Sequence, residues 1–323
     1  MPGSDVTIVV VPRESFSQSE ASLESVLSCT RVPFNLVYVD GNSPRRIRRY
    51  LDARARQAGF TLARTDRYVS PNKARNLGFA HVGTPYVAFV DNNTIVTEGW
   101  LDSLLRCARE TNAAFVAPVY CVGSLNSPVI HTAGGEGHIE IIDGRRQLVD
   151  VHHYCDRPLA EVRNEFRRAP CEVAEFHCVL TRTDVVAAMA GFDIGLPAAL
   201  EHIDFGLQAA ASHDGGWFEP EAVVTYLPPP PLAISDAPYF ALRWSKDWID
   251  TSFEHFAGKW QLRLDDPGLR GNREWLEKYR WKYLRYLRGG LRRTLGPRAV
   301  HTAERVIDRA VSSTLVRANS SGS

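Results

Sequence analysis

Apolar and polar positions along the first 120 residues predict strand and helix in alternation. "VTIVVV" (6–11) is a short apolar run suited to a buried strand. Ser17, followed three residues later by Glu20, has the form of a capping box, and Leu23, Val26 and Leu27 continue behind it at helical spacing. "FNLVYVD" (34–40) predicts a second strand, closed by the turn residues "GNSP". "RRIRRYLDARARQA" (45–58) predicts a basic helix and "FTLAR" (60–64) a short strand. Ser70 before Pro71 sets a capping hydroxyl ahead of proline at the first helical position, so a helix is expected from there to about Ala80. A strand "YVAFV" (86–90), a helix over 98–110 capped by Thr97, and a strand "AAFVAPVY" complete the series.

That βαβαβαβ order predicts a mainly parallel sheet with helices on both faces. Such sheets bind ligands outside the carboxyl ends of their strands. Asp40 and Asp91 both stand at such ends. The pattern then changes. Residues 123–160 are rich in Gly and His, with a hairpin signal at Asp143-Gly144. "CEVAEFHCVLTR" (171–182) predicts a strand, "TDVVAAMAG" a capped helix ending at Gly191, "ALEHIDFGLQAAAS" (199–212) a second helix and "AVVTYL" a last strand. Prolines at 228–231 predict a rigid tether, followed by aromatic-rich helices over "YFALRWSKDW" and "FEHFAGKW" that should pack back on the sheet domain. Their Trp244, Trp248 and Trp260 are read as packing residues. The tail continues "YRWKYLRYLRGGLRR", then a helix over 300–316 and a disordered "ANSSGS".

Bulk properties narrow the classes. The 323 residues are 44% hydrophobic and 23% charged with a net charge of +1, which gives no overall field for nucleic acid. Six scattered cysteines (29, 107, 121, 155, 171 and 178) form no C-x-x-C pair and read as reduced, mostly buried thiols of a cytoplasmic protein. The first apolar run lacks a basic leader and a cleavage site, so it is read as a strand and not a signal peptide. No run approaches the roughly 18 apolar residues of a spanning helix.

Three clusters can carry chemistry. Asp91-Asn92-Asn93 offers oxygen ligands at a strand tip, suited to a divalent cation against a diphosphate, though the same residues also make an ordinary strand-to-turn junction. "SPNKARNLGFA" puts Lys73 and Arg75 in the first turn of a helix, beside its free N–H groups, a natural phosphate site. In "LEHIDFGLQ", Glu201 and Asp204 are i,i+3 neighbours on one helical face while His202 points elsewhere. Any of the three could take a proton from a hydroxyl. "EVAEFHCVL", read as a strand, puts Glu175 and His177 on one face, suited to an acceptor cleft. "IHTAGGEGH" (130–138) and "DVHHY" (150–154) have neither metal-ligand spacing nor a dinucleotide fingerprint, and are read as scaffold or as acceptor-side loops.

"VVVPRES", "VYVDGNSP", "SPNKARNLG", "YVAFVDNNTIVTEGWLDSLL", "GFD…LEHIDFGLQ" and "GGWFEPEAVVTYLPP" resemble, in order and spacing, the family 2 glycosyltransferases of the GT-A fold, over roughly residues 5–230. The resemblance implies a sugar transfer from a nucleotide-sugar donor to an acceptor hydroxyl, with inversion. It implies a donor site from Pro12, Glu14, Asp40 (reading the base), Lys73, Arg75 (at the diphosphate), Asp91, Asn92 and Asn93. It also implies a Mn²⁺ or Mg²⁺ ion held by Asp91 and Asn93. His202 matches the position of the family's base, with Glu201 adjacent and Asp204 on the acidic face. Two positions depart from the pattern. Asn93 replaces an acid, and Tyr226 stands near the place of a metal-binding histidine, so the ion is weakened.

On this reading residues 1–231 form the transferase domain, 1–120 its nucleotide-binding half and 121–231 its acceptor-side half. Residues 232–323 form a helical, basic C-terminal extension. The acceptor is a glycan, a lipid-linked sugar or a small molecule. From Arg280 to Arg317 the tail carries ten Lys/Arg against two acids. It has two readings: contact with an anionic inner membrane surface, and a solvated extension or homo-oligomer contact. No nucleic-acid partner is expected, since no recognised module accompanies the charge. Two rivals share the sheet: an inactive nucleotide- or glycan-binding scaffold, and a nucleotidyltransferase.

Overall fold

The computed structural model describes residues 3–211, 215–228, 233 and 235–282. Strands β1 (Val6–Val11), β2 (Asn35–Gly41), β3 (Thr61–Thr65) and β4 (Tyr86–Asp91) lie parallel in the order β3-β2-β1-β4. Helices α1 (Ser19–Cys29), α2 (Arg45–Ala58) and α3 (Pro71–Phe79) make the crossovers between them. β1 is buried at every residue, as a strand covered on both faces must be. α3 begins where the sequence predicts, with Ser70 Oγ accepting from the Lys73 N–H at 3.4 Å and Pro71 in the first turn. It lies close on the sheet because Gly78 has no side chain. A Cβ there would sit 2.3 Å from Val9 Cγ1 and 3.1 Å from Val39 Cγ2.

Short β5 (Thr94–Val96) follows β4, then α4 (Trp100–Thr111) and β6 (Phe115–Val122). Next come β7 (Val129–Thr132), β8 (Gly135–Ile142), β9 (Arg145–His152), the short α5 (Leu159–Val162) and β10 (Ala169–Cys171). β8 and β9 form a separate hairpin whose turn residues, Asp143 (φ 50°) and Gly144 (φ 72°), both take the left-handed conformation a two-residue turn requires. β11 (Cys178–Arg182), α6 (Thr183–Ala188), α7 (Glu201–Ala210) and β12 (Gly216–Tyr226) finish the sheet domain. β11 enters between β4 and β6, antiparallel to both, while β12 runs parallel to β6. The sheet is therefore mixed but mainly parallel, ordered β10-β12-β6-β11-β4-β1-β2-β3.

α8 (Ala237–Arg243), α9 (Lys246–Trp260) and α10 (Pro267–Lys282) pack back on it. A second apolar core unites Leu148 of the hairpin and Leu196, Leu200 and Ile203 around α7 with Phe240, Trp244, Phe253 and Phe256. All six thiols are free, with Cys155 exposed. Among the described residues no helix is long and apolar enough to cross a membrane.

Three local expectations are corrected. Ser17 does not cap α1; its hydroxyl bonds Asp236, and the helix starts at Ser19 without a side-chain cap. Thr97 does not cap α4; its Oγ1 donates to the Val223 carbonyl at 2.9 Å, and left-handed Gly99 precedes the helix. Residues 172–177 are not strand. Both neighbours, β4 and β6, pair only with the stretch from Cys178 onward, leaving the alternating "EVAEFH" without a ladder. The tether beyond Pro228, the tail beyond residue 282, the helix over 300–316 and the final "ANSSGS" lie outside the described residues.

Candidate active site

The carboxyl ends of β1 and β4 converge on Asp91. Its Oδ1 lies 3.2 Å from Arg75 Nη2, and its Oδ2 lies 3.4 Å from both Arg13 Nε and His177 Nδ1. Antiparallel entry of β11 beside β4 delivers His177, whose carbonyl accepts the Asp91 N–H at 3.1 Å. All of these side chains are buried or nearly so. Burial and the Arg13 charge push the His177 imidazole below its ordinary pKa. It stacks on Tyr226 at 4.4 Å.

Arg75 lies flat on Phe176, its guanidinium carbon 3.7 Å from the ring centre, and binds Asn72 Oδ1 at 3.0 Å. Its Nε is buried with no hydrogen-bond partner. Burial lowers the Arg75 pKa, against the pull of Asp91 and Glu201. Arg13 sits over Tyr226, reaches Glu14 at 2.9 Å, and is likewise flanked by acid. The sequence reading missed Arg13; its signal is a lone cation two residues past the end of β1.

A cavity of about 560 Å³ opens in front of this group. Arg13, Arg75, Asp91, Arg243, His131, His152, Glu175, Glu201 and His202 all line it. Trp275, 48% exposed, also lines it.

The three base candidates separate in space. Asp204 lies outside the cavity, its carboxylate bound by Lys259 (2.7 Å), Trp260 Nε1 (2.8 Å) and Gln208 (2.8 Å). Glu201 reaches the cavity but is clamped by Arg243 Nη2 at 2.5 Å. Burial would raise its pKa, but Arg243 and Arg75 outweigh that and hold the carboxylate ionised. His202 lines the cavity with Nε2 3.6 Å from Glu175 Oε1. The turn that aims α7 is unusual: Leu200, at its N-cap, is left-handed (φ 64°) and buried.

Several predicted donor residues are placed elsewhere. Lys73 is exposed and does not line the cavity, since two helical positions separate it by about 200° from buried Arg75. Asn92 braces the β1 loop, accepting from the Arg13 N–H at 3.1 Å and donating to the Ser15 carbonyl at 2.7 Å. Glu14 is fully buried beneath Trp244 Nε1 (2.9 Å), Tyr226 and Tyr279 (2.8 Å). Asp40 accepts from the Ser43 N–H and from Arg64 Nε, both at 2.8 Å, so both carboxylate oxygens are engaged. The Pro12 carbonyl lies 3.2 Å from the Tyr239 hydroxyl, and the Tyr239 ring clusters with Phe16 and Tyr68, its centre 5.1 and 5.2 Å from theirs.

The Asp91–Asn93 turn does not fit a divalent cation. Two guanidinium groups already oppose Asp91, and a cation there would face both. Asn93 is completely buried, with both amide atoms unpartnered, and it does not line the cavity.

Residues 8–158 match the family model described as glycosyl transferase family 2. That stretch is a little under half of the chain. No curated protein matches the sequence. Among solved structures, GalNAc-T7 with UDP, GalNAc and Mn²⁺ is similar at a TM-score of 0.54 and 14% identity, over 88% of this chain and 57% of that one. TarS 1-349 of S. aureus in complex with UDP-GlcNAc is similar at a TM-score of 0.52 and 12% identity, over 81% of this chain and 67% of that one. At these identities the likeness is one of fold. The chain spans little more than half the length of the first. The matched stretch ends ahead of Glu175, His202 and Arg243, so much of the cavity is built by residues beyond it.

Proposed function

We propose that this protein transfers a sugar from a nucleotide-sugar donor to an acceptor hydroxyl, with inversion, in the 560 Å³ cavity. The observation that carries the reading is that guanidinium groups and an imidazole line one cavity. Arg75, whose buried Nε has no hydrogen-bond partner, and His202 both line it. A glycosyl transfer needs both kinds of group. Negative charge collects on the departing diphosphate, where Arg75 and Arg13 stabilise it. A proton leaves the attacking hydroxyl for the imidazole of His202, which lines the cavity. Glu175, 3.6 Å from the ring, stabilises the imidazolium that results. Half-exposed Trp275 offers a flat apolar face to an acceptor sugar.

One observation favours a second reading, a nucleotide- or glycan-binding scaffold without turnover. The residues expected to hold the nucleoside are occupied from within, Pro12 by Tyr239 and Asp40 by Arg64.

Release of nucleoside diphosphate from a panel of nucleotide sugars, with candidate acceptors, separates the two. Transfer predicts release that depends on acceptor and falls on the order of 10²–10⁴-fold in His202→Ala. Nucleotide-sugar binding with no release under any acceptor favours the scaffold. Pyrophosphate released from a nucleoside triphosphate would indicate a nucleotidyltransferase instead.

A further inference from the structure

We infer that His131, His152 and Glu175 form a binding site for one divalent transition-metal ion of the zinc type, separate from the Asp91 turn and open to the cavity. Two histidines and one carboxylate with a vacant fourth position is a donor set that such ions favour and that Mg²⁺ and Ca²⁺ do not.

The sequence hides the set, because the three residues are widely spaced. The fold collects them. His131 comes from β7, His152 from the end of β9, and Glu175 from the unpaired 172–177 segment. Their ligand atoms lie within 4.8 Å of one another. The imidazole rings of His131 and His152 meet nearly edge to face at 5.9 Å and 76°.

The separations themselves point to an ion. Glu175 Oε1 lies 3.6 Å from both His131 Nε2 and His202 Nε2. That is long for a hydrogen bond, yet Glu175 is only 12% exposed. A tetrahedral ion with bonds of ~2.1 Å keeps its ligand atoms about 3.4 Å apart. The Glu175 carboxylate and the His131 imidazole already stand at close to that spacing, and the His152 ligand atom lies within 4.8 Å of both.

A supporting shell is also present. His152 Nε2 lies 3.2 Å from Asp150 Oδ1, and Asn272 of α10 donates to Asp150 Oδ2 at 3.0 Å. A carboxylate behind a ligating histidine fixes the ring and raises its basicity. The Cys155 thiol, 3.0 Å from the His131 carbonyl and 3.5 Å from that of His152, ties the two ligand-bearing segments together. All three side chains line the cavity, from which a ligand oxygen can supply the fourth donor.

The test is calorimetric titration of the dialysed 323-residue chain with Zn²⁺, and with Mg²⁺ for comparison, with the visible absorption of bound Co²⁺ as a second readout. The expected result is one Zn²⁺ per chain, no comparable Mg²⁺ binding, and a tetrahedral Co²⁺ spectrum. Glu175→Gln and His131→Ala should each weaken Zn²⁺ by ~100-fold, and Asp150→Asn by roughly tenfold. Circular dichroism of each variant shows that it remains folded, and Asp150→Asn keeps the test open should a ligand variant unfold. His138→Ala, at an exposed His–Glu pair, should change nothing. Absence of stoichiometric Zn²⁺ binding to the wild type overturns the site. So does Zn²⁺ binding that Glu175→Gln, His131→Ala and Asp150→Asn all leave unchanged. No donor or acceptor enters this titration, so its failure and that of the transfer reading are told apart.

Discussion

At the scale of single residues, what separates the three base candidates is which partners each has already taken. Glu201 and Asp204 do share a helical side, but the C-terminal helices bring cations to both. Arg243 of α8 holds the first, and Lys259 with Trp260 of α9 holds the second. Asp204 thus becomes a structural acid. Asp204→Asn removes the charge beside Lys259, and the urea midpoint should fall by an amount equivalent to on the order of 2 kcal/mol. The same variant should leave the pH profile of turnover in place. His202→Ala should do the reverse, losing turnover while keeping its midpoint. A neighbouring acid reports on pH. Burial tends to raise the pKa of Asp193, but its bonds to Lys259 and His255 prevail and hold it at about 2. A depressed carboxylate stabilises the folded state fully above its unfolded value of ~3.9, and that contribution is lost as pH falls toward 2. The stability difference between wild type and Asp193→Asn, measured in urea, should be constant above about pH 5 and vanish near pH 2.

At the scale of elements, legibility follows how local the determining forces are. α3 was readable because Ser70 and Pro71 specify its start within two residues, and β1 because five apolar positions out of six admit little else. Residues 172–177 misled because alternation describes a half-buried strand only if a partner strand exists, and pairing is a property of distant segments. Lys73 and Arg75 were both cations in a helix start, yet the rotation of the helix on the sheet buries one and exposes the other. The histidines of "IHTAGGEGH" and "DVHHY" had no metal spacing to read, since the hairpin between them brings them together. Close packing of α3 gives a prediction on this scale. Gly78→Ala places a methyl 2.3 Å from Val9 Cγ1, deep between helix and sheet. It should destabilise by about 1–3 kcal/mol in a urea melt. Gly83→Ala, with no atom within 4 Å of the added methyl, should have little effect.

At the scale of the whole molecule, the C-terminal helices build one wall of the cavity and also close the face where a nucleoside was expected. Asp236 accepts from the Phe16 N–H at 2.9 Å and the Ser17 N–H at 3.2 Å, which pins the start of α8 over β1. Tyr239 then clusters with Phe16 and Tyr68, with its hydroxyl against the Pro12 and Val69 carbonyls. Aromatic rings beside backbone carbonyls are the kind of environment a nucleobase would seek. If the base binds at this face, Tyr239 competes with it, and the binding-competent fraction of the protein is reduced accordingly. Tyr239→Ala should then tighten nucleoside diphosphate binding by about tenfold in calorimetric titration, despite a loss of stability of roughly 3 kcal/mol from the emptied core site. Tyr239→Phe keeps the stack and should bind like wild type. An unchanged Kd in Tyr239→Ala would remove the base from the Pro12 face and leave the cavity between Arg75 and His202 to hold the whole donor.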